Sequence, residues 1–378
     1  MKKWSLLLVF IFWSSASLVL AAKPYKIGAL FSITGPTSFI GEPERNTLVM
    51  LIEKINKAGG INGHPLQAII YDTEGDETNT LKKATKLIIQ DKVLAIIGPS
   101  RTGTTLALIP FVERYKVPLI SCAAGIKIVE PVRPWVFKTA QSDRLAVKKL
   151  YAYCKRHGIK RIAIITVSNG FGQSGREELK HLAPEYGLEI VADEIFGPKD
   201  VDMSPQLIRI RAKEPDAVIC WGTNPGPAIV AKNMRQLGMK QPLFMSHGVA
   251  SKRFIELAGK ASEGVILPAG KILVAQQLPK SDPQRALLLR YLAEYKARYG
   301  KEPLTFGGHA YDALLLLKQA LEKAGADRDK IRQALEHAHI VGIHGIFRMS
   351  PKDHNGLDPK EAFVLVRIQH GKWVMVKD

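Results

Sequence analysis

Between Leu94 and Gly125 two apolar runs each end in small or hydroxyl-bearing residues, L-A-I-I-G-P-S-R-T-G-T-T and V-P-L-I-S-C-A-A-G. Gly98 and Pro99 stop the first run. Thr102 to Thr105 then open a helix whose apolar face is expected to be Leu106, Ile109, Phe111 and Val112. A helix start carries unpaired N–H groups and a positive dipole end, so Thr102 or Thr104 beside it suits a carboxylate without any Lys or Arg. The second run, Pro118 to Ser121, delivers Cys122, Ala123, Ala124 and Gly125, whose lack of bulk lets a ligand approach the backbone. Ordinary capping by Thr102 and an ordinary turn at Gly125 account for the same residues.

Other chemistry is less well supported by spacing. Gly170-Phe171-Gly172-Gln173-Ser174-Gly175 has the G-x-G-x-x-G form of a dinucleotide site, with Asp193 and Glu194 near the position of a ribose-binding acid. Ser168 and Asn169 separate the strand from the first glycine, however, and Phe171 is bulky where a pyrophosphate must approach. The glycines are therefore read as loop and packing residues, with an NAD-dependent oxidoreductase as a remote alternative. Glu42 and Glu44, placed in a loop, and Asp72, Glu74, Asp76 and Glu77 after a strand read as solvated loop acids rather than a general acid and base. No H-E-x-x-H, complete G-x-S-x-G or Walker-type motif occurs. Among the histidines only His247, at a predicted strand end, is a pocket candidate; His64, His309 and His344 read as loop or cap residues.

The elements that must position these residues follow from length and periodicity. At 378 residues the chain is long enough for about two domains. Lys2 and Lys3, an apolar stretch from Leu6 to Leu20 broken by serines, and a small-residue end at Ala21-Ala22 read as a cleavable signal peptide, residues 1–22. The stretch is too short and interrupted for a membrane span. The net charge of +19 becomes 19 − 2 = +17 without Lys2 and Lys3, and the basic residues are dispersed over helix faces, so nucleic acid is not an expected partner. Cys122, Cys154 and Cys220 are odd in number and widely spaced, which predicts free, mostly buried thiols.

Strands and helices alternate from Tyr25, the first expected helix being Arg45 to Lys57. This alternation predicts parallel sheets covered on both faces. A second unit restarts at Ser142, with helix Asp143 to His157, strand Arg161 to Val167, helix Ser174 to Tyr186 and strand Ala217 to Trp221. In it R-I-A-I-I-T-V-S-N-G-F-G-Q-S-G is expected to take the place of V-L-A-I-I-G-P-S-R-T-G-T-T in the first. The chain thus reads as α/β, two similar doubly wound parallel-sheet lobes, each presenting strand ends to a crevice. Three helices follow Pro279, and a closing hairpin spans Glu361 to Val376.

With these in place, I-G-A-L-F-S-I-T-G-P, I-N-K-A-G-G-I-N-G, Y-D-T-E-G-D, I-I-G-P-S-R-T-G-T-T, V-P-L-I-S, R-I-A-I-I-T-V-S-N-G-F-G and H-A-Y-D-A-L, in that order over nearly the whole chain, resemble the periplasmic solute-binding proteins of the leucine/isoleucine/valine type. The resemblance implies a type I periplasmic binding fold with a three-strand hinge, an N-terminal lobe of residues 23–142 plus 271–348 and a C-terminal lobe of residues 143–270 plus 349–378. It implies a periplasmic monomer that closes on a small ligand and delivers it to an inner-membrane ABC permease, with no catalytic residue, cofactor or metal. It places the ligand carboxylate on Thr102, Ala123 and Gly125, the last offering backbone where a Thr is usual. Phe171 stands for the aromatic of a Y-G loop, Asn224 for a second pocket tyrosine, and Ile40 is a further ligand-contact position. His247 stands where an acid commonly pairs the ligand ammonium, and a histidine cannot replace that charge. The expected ligand is a small carboxylate, either an amino acid or a non-amino aromatic or aliphatic acid. A ligand-binding sensor subunit of the same fold is the other reading.

Overall fold

The computed structural model describes residues 22–377, so the signal-peptide reading lies, but for Ala22, outside the described residues. The first sheet is built from β1 (Tyr25–Phe31), β2 (Leu66–Asp72), β3 (Ile96–Ile97), β4 (Leu119–Ser121) and β5 (Val136–Lys138), all parallel in the order β2-β1-β3-β4-β5. Its helices are α1 (Ser38–Lys57), α2 (Glu77–Thr85) and α3 (Thr102–Tyr115). The chain then enters α4 (Asp143–Arg156), β6 (Arg161–Val167), α5 (Gly170–Leu182), β7 (Glu189–Phe196), α6 (Ser204–Arg211), β8 (Ala217–Trp221), α7 (Gly226–Gln236), β9 (Leu243–Met245), α8 (Lys252–Ala258) and β10 (Ile266–Ala269). Strands such as β8, buried at every residue, can sit only inside a sheet covered on both faces.

After β10 the chain returns to the first lobe. Helices α9 (Arg285–Tyr299) and α10 (Gly307–Ala324) pack on α1, where the hydroxyls of Tyr291 and Thr47 lie 2.7 Å apart and Arg298 grips Glu53 with two bonds of 2.6 and 2.7 Å. Helix α11 (Arg328–Leu335) and a small hairpin, β11 (His339–Val341) with β12 (Ile346–Arg348), complete this excursion. The chain then passes back through α12 (Pro359–Ala362) to β13 (Val364–Gln369) and β14 (Lys372–Met375). Strand β13 pairs antiparallel with β10, giving the second sheet the order β7-β6-β8-β9-β10-β13-β14. Three passages therefore connect the sheets, near residues 139–142, 270 and 349–358, and the type I binding fold is the observed architecture.

Several local expectations change. The first helix begins at Ser38 rather than Arg45, with Pro43 inside it, so Glu42 and Glu44 are helical. Packing overrides the breaker: a Cβ on Gly41 would lie 2.3 Å from the Ser32 carbonyl oxygen, so this turn is seated directly on the end of β1. Helix α3 buries Leu108, Ile109 and Val112, whereas Leu106 and Phe111 are only half-buried. Sheet order also corrects the internal correspondence. Strand β6 occupies in its sheet the place of β1, and β8 the place of β3, so the counterpart of Gly98-Pro99-Ser100 is Gly222-Thr223-Asn224 and not the Gly170 loop. The three cysteines are free and buried, as expected.

The glycines of the Gly170 loop are packing residues. Helix α5 starts at Gly170, four residues earlier than expected, capped by Asn169, whose side-chain oxygen accepts from the N–H groups of Phe171 and Gly172 at 3.1 and 3.0 Å. A Cβ on Gly172 would fall 1.7 Å from the Val167 carbonyl oxygen, and one on Gly175 would fall 2.0 Å from the Trp221 indole nitrogen. Backbone cannot yield as a side chain can, so Gly172→Ala is expected to destabilise the protein by about 1–3 kcal/mol or more. A denaturant melt giving a loss under about 0.5 kcal/mol would contradict this packing.

Candidate functional site

Both sheets present the carboxyl ends of their strands to one cavity, at the points where strand order reverses, β1/β3 and β6/β8. Its free volume is about 60 Å³, room for a few waters or a small ligand. From the first lobe the segment after β3 supplies Ser100, Arg101, Thr102 and Gly103, and the segment after β4 supplies Cys122, Ala123 and Ala124. Across the cleft stand Asn169, Gly170 and Phe171 after β6, Thr223 after β8, and His247 and Gly248 after β9. Ile40, Ala140, Phe306 and His309 close the remaining sides.

Of the residues singled out from sequence, Ile40, Thr102, Ala123, Phe171 and His247 are brought together here; Gly125 and Asn224 are not in the lining. Gly125 turns inward instead, its N–H donating to the Thr102 hydroxyl at 3.2 Å. The Ala123 N–H is likewise spent, on the Ser121 hydroxyl at 3.1 Å. Thr104 and Thr105 both donate to the Arg101 carbonyl at 2.9 Å, so neither offers its hydroxyl to a ligand. The Ser100 hydroxyl is spent as well, donating to Glu44, so the anion-binding capacity of this half rests on Thr102 and the start of α3, where Arg101 occupies the N-cap without a side-chain cap bond. Glu77 approaches α3 from behind, its carboxylate 2.5 Å from where a Gly103 Cβ would stand.

The lobes meet at this end. A Cβ on Gly170 would lie 2.9 Å from the Gly103 nitrogen, so the starts of α3 and α5 touch backbone to backbone and both positive dipole ends converge on the cavity. Lys127 with Glu177 at 2.5 Å, Arg144 with Glu130 at 2.7 Å and Lys252 with Glu302 at 2.6 Å cross between the lobes at the rim. This is a closed conformation.

Behind the lining lie ionisable groups that sequence reading missed. His247 is ringed by Phe171, Trp221 and Phe363, at centroid distances of 5.4, 5.8 and 5.3 Å, and neither ring nitrogen has a partner. Its Nε2 lies 4.0 Å from the fully buried Asp143. His309 mirrors it from the first lobe, with Nδ1 3.9 Å from buried Glu44, whose other oxygen accepts from the Ser100 hydroxyl. Burial, with the positive charge of Lys138 nearby, drives the His247 pKa down to about 3, and burial holds His309 well below its ordinary value. Burial raises Glu44 well above the carboxylate range and raises Asp143 to about 7, against the pull of the Ser174 hydroxyl and the Lys138 ammonium. Both histidines are thus neutral, and the acids stand behind them rather than in the wall. The signal was available only at Asp143, just after the hinge Gln141-Ser142; nothing in sequence marked Glu44 as buried.

The comparisons agree with this geometry. A family profile described as "Periplasmic binding protein" matches residues 24–372. A leucine-, isoleucine-, valine-, threonine- and alanine-binding protein of Pseudomonas aeruginosa is 26% identical over 325 residues, covering 85% of this chain and 84% of that one. An extracellular ligand-binding receptor from Rhodopseudomonas palustris superposes with a TM-score of 0.87 at 29% identity, covering 93% of this chain and 99% of that chain. A leucine-binding protein from Thermotoga maritima gives a TM-score of 0.81 at 25% identity, with 93% and 97% covered.

A neutral buried histidine has a stability signature. Between about pH 6.5 and 3 the unfolded chain protonates His247 while the folded protein does not, so the unfolded state binds the extra proton and stability falls as pH falls. Relative to wild type, His247→Gln is expected to flatten the acid limb of a stability-versus-pH curve by roughly 1 kcal/mol per pH unit. Parallel curves for the two proteins would mean that His247 titrates normally.

Proposed function

The chain belongs to the periplasmic binding protein family, and on that premise we propose that it is the extracytoplasmic substrate-binding component of an ABC transporter, capturing a small carboxylate with an apolar body. Its relatives are substrate-binding proteins, not enzymes, and the same holds for this chain. Closure of two lobes, divided at about residues 142, 270 and 348, sequesters the ligand, and an inner-membrane permease receives it from the closed monomer. The basic start and serine-broken apolar stretch of residues 1–22 support export to the periplasm.

The composition of the lining carries the ligand class. It combines apolar and aromatic groups, Ile40, Ala123, Ala124, Ala140, Phe171 and Phe306, with the hydroxyls of Thr102 and Thr223 and two converging helix starts. Arg101 is its one residue of fixed charge, and no Asp or Glu belongs to it. A carboxylate is favoured at the helix starts. An ammonium on the same ligand meets only neutral histidines, with Asp143 and Glu44 screened behind them, and so loses hydration without gaining a counter-charge. Non-amino aliphatic or aromatic carboxylates therefore fit this wall better than amino acids, although the P. aeruginosa relative is named for amino acids.

Isothermal titration and thermal shift with hexanoate, phenylacetate, leucine and valine test this. Hexanoate or phenylacetate is expected to bind at least about tenfold more tightly than leucine, and to raise the melting temperature as any native-state ligand must. Tight leucine or valine binding without binding of the non-amino acids would refute it. Thr102→Val removes one hydroxyl donor at the start of α3 and is expected to weaken the bound acid about tenfold. An unchanged affinity would remove Thr102 from the site.

A further inference from the structure

Helix α5 lays one stripe of residues along the first lobe. Gly170, Ser174, Glu177 and Glu178 fall at i, i+4, i+7 and i+8, on a single helix face. Gly170 abuts Gly103, a Cβ on Gly125 would stand 3.4 Å from the Ser174 hydroxyl oxygen, and Glu177 pairs with Lys127 at 2.5 Å. The stripe therefore runs from the cavity edge outward to the rim. Its inner half is made of small residues, which permit close approach, and its outer half is charged.

At the outer end stands Arg144, near the start of α4. From its own lobe Glu178 holds the guanidinium with two bonds, Nε to Oε2 at 2.8 Å and Nη2 to Oε1 at 3.1 Å. Nη1 then reaches across the cleft and donates to both oxygens of Glu130, at 2.9 and 2.7 Å. The Glu130 side is braced as well. Arg133 Nη1 donates to the carbonyls of Lys127, Ile128 and Pro131 at 2.7, 3.0 and 3.2 Å, tying down the loop that bears Lys127 and Glu130. An exposed ion pair ordinarily gains little, because two long side chains must be ordered to make it. Here much of that ordering is done inside each lobe, with the Arg144 side chain 30% exposed and that of Glu178 9%, so closure brings together partners already held in place.

We infer that Arg144 is a positioning residue for ligand capture: with the Lys127–Glu177 pair it clasps the lobes, populates the closed form before a ligand enters and slows a ligand's escape. None of Lys127, Glu130, Arg144, Glu177 and Glu178 lines the cavity, so the clasp acts on any ligand the lobes enclose. The alternation of sign, Lys127 and Glu130 against Glu177 and Arg144, also fixes how the lobes register, since a slipped closure would set like charges together.

Single-molecule energy transfer in the ligand-free protein tests this, with one dye on each lobe at introduced surface cysteines, the three native ones being buried. At about 20 mM salt the wild type is expected to show a closed population, and Glu130→Gln to lower the closed-to-open ratio about fivefold. About 1 M salt, where the screening length is about 3 Å, is expected to bring the wild type to the variant's ratio. Lys127→Glu is expected to open the lobes likewise, and the exchange Lys127→Glu with Glu177→Lys to close them again, a restoration that mere damage to the fold would not show. Stopped-flow release of phenylacetate from Glu130→Gln is expected to be faster by about the same factor. A wild type with no closed population at low salt, a Glu130→Gln ratio or release rate equal to wild type, or a charge exchange that restores nothing overturns the clasp. Absence of phenylacetate binding overturns the carboxylate reading alone, and the populations still decide the clasp.

Discussion

Three chain passages run between two parallel sheets, and burying their backbone is the constraint on which the site depends. Buried N–H and C=O groups must all find partners, and in the backbone flanking these passages side chains supply several of them. Asp312 accepts from the N–H groups of Ile343 and His344 at 2.6 and 3.0 Å and from the His344 ring at 3.0 Å. Gln141 donates to the Ala362 carbonyl and Asn355 to that of Lys138, while Gln284 donates to both Gly342 and Ile343. This polar seam fixes how the strand ends face each other, and hence that Ser100 and Thr102 look across at Phe171 and His247. The lobes then meet where Gly103 and Gly170 admit backbone against backbone.

The same seam explains the unusual electrostatics of the cavity floor. Lys138, with no exposure, donates its ammonium to the Ala140 carbonyl, and burial lowers its pKa to about 7. Asp143 and Glu44 are driven the other way by the same loss of water. Ionisable groups of both kinds thus lie beneath the site, each driven by burial toward its neutral form, and the wall itself offers neutral imidazoles, hydroxyls, methyl groups and rings, with Arg101 its one fixed charge. A cationic group on a ligand meets helix dipoles and hydrogen-bonding groups rather than a counter-ion of its own, which sets the ligand's chemistry by shape and by the placement of its polar groups.

Much of the architecture was legible because buried parallel strands leave a plain signal. Arg161 to Val167 and Ala217 to Trp221 were read to the residue, since a buried run of apolar side chains closed by a turn admits few alternatives. Two- to four-residue strands such as β3, β5 and β10 are too short to carry a period, and the early start of α1 was hidden behind Gly41 and Pro43. The site was half legible. Thr102, Ala123, Phe171, His247 and Ile40 line one cavity, while Gly125 spends its N–H on Thr102 and Asn224 lies outside the lining.

What the sequence alone determined is the alternation of strands and helices, the duplicated plan, and which strand ends carry small and hydroxyl-bearing residues, because these depend on local periodicity and residue size. What only the tertiary structure decided is which of those residues share a cavity, which N–H groups are already spent, and that Glu44 and Asp143 lie buried behind His309 and His247. Those outcomes depend on contacts between segments up to 265 positions apart, as between Glu44 and His309. Desolvation at such contacts, not residue type, sets whether a histidine is neutral and whether a carboxyl keeps its proton.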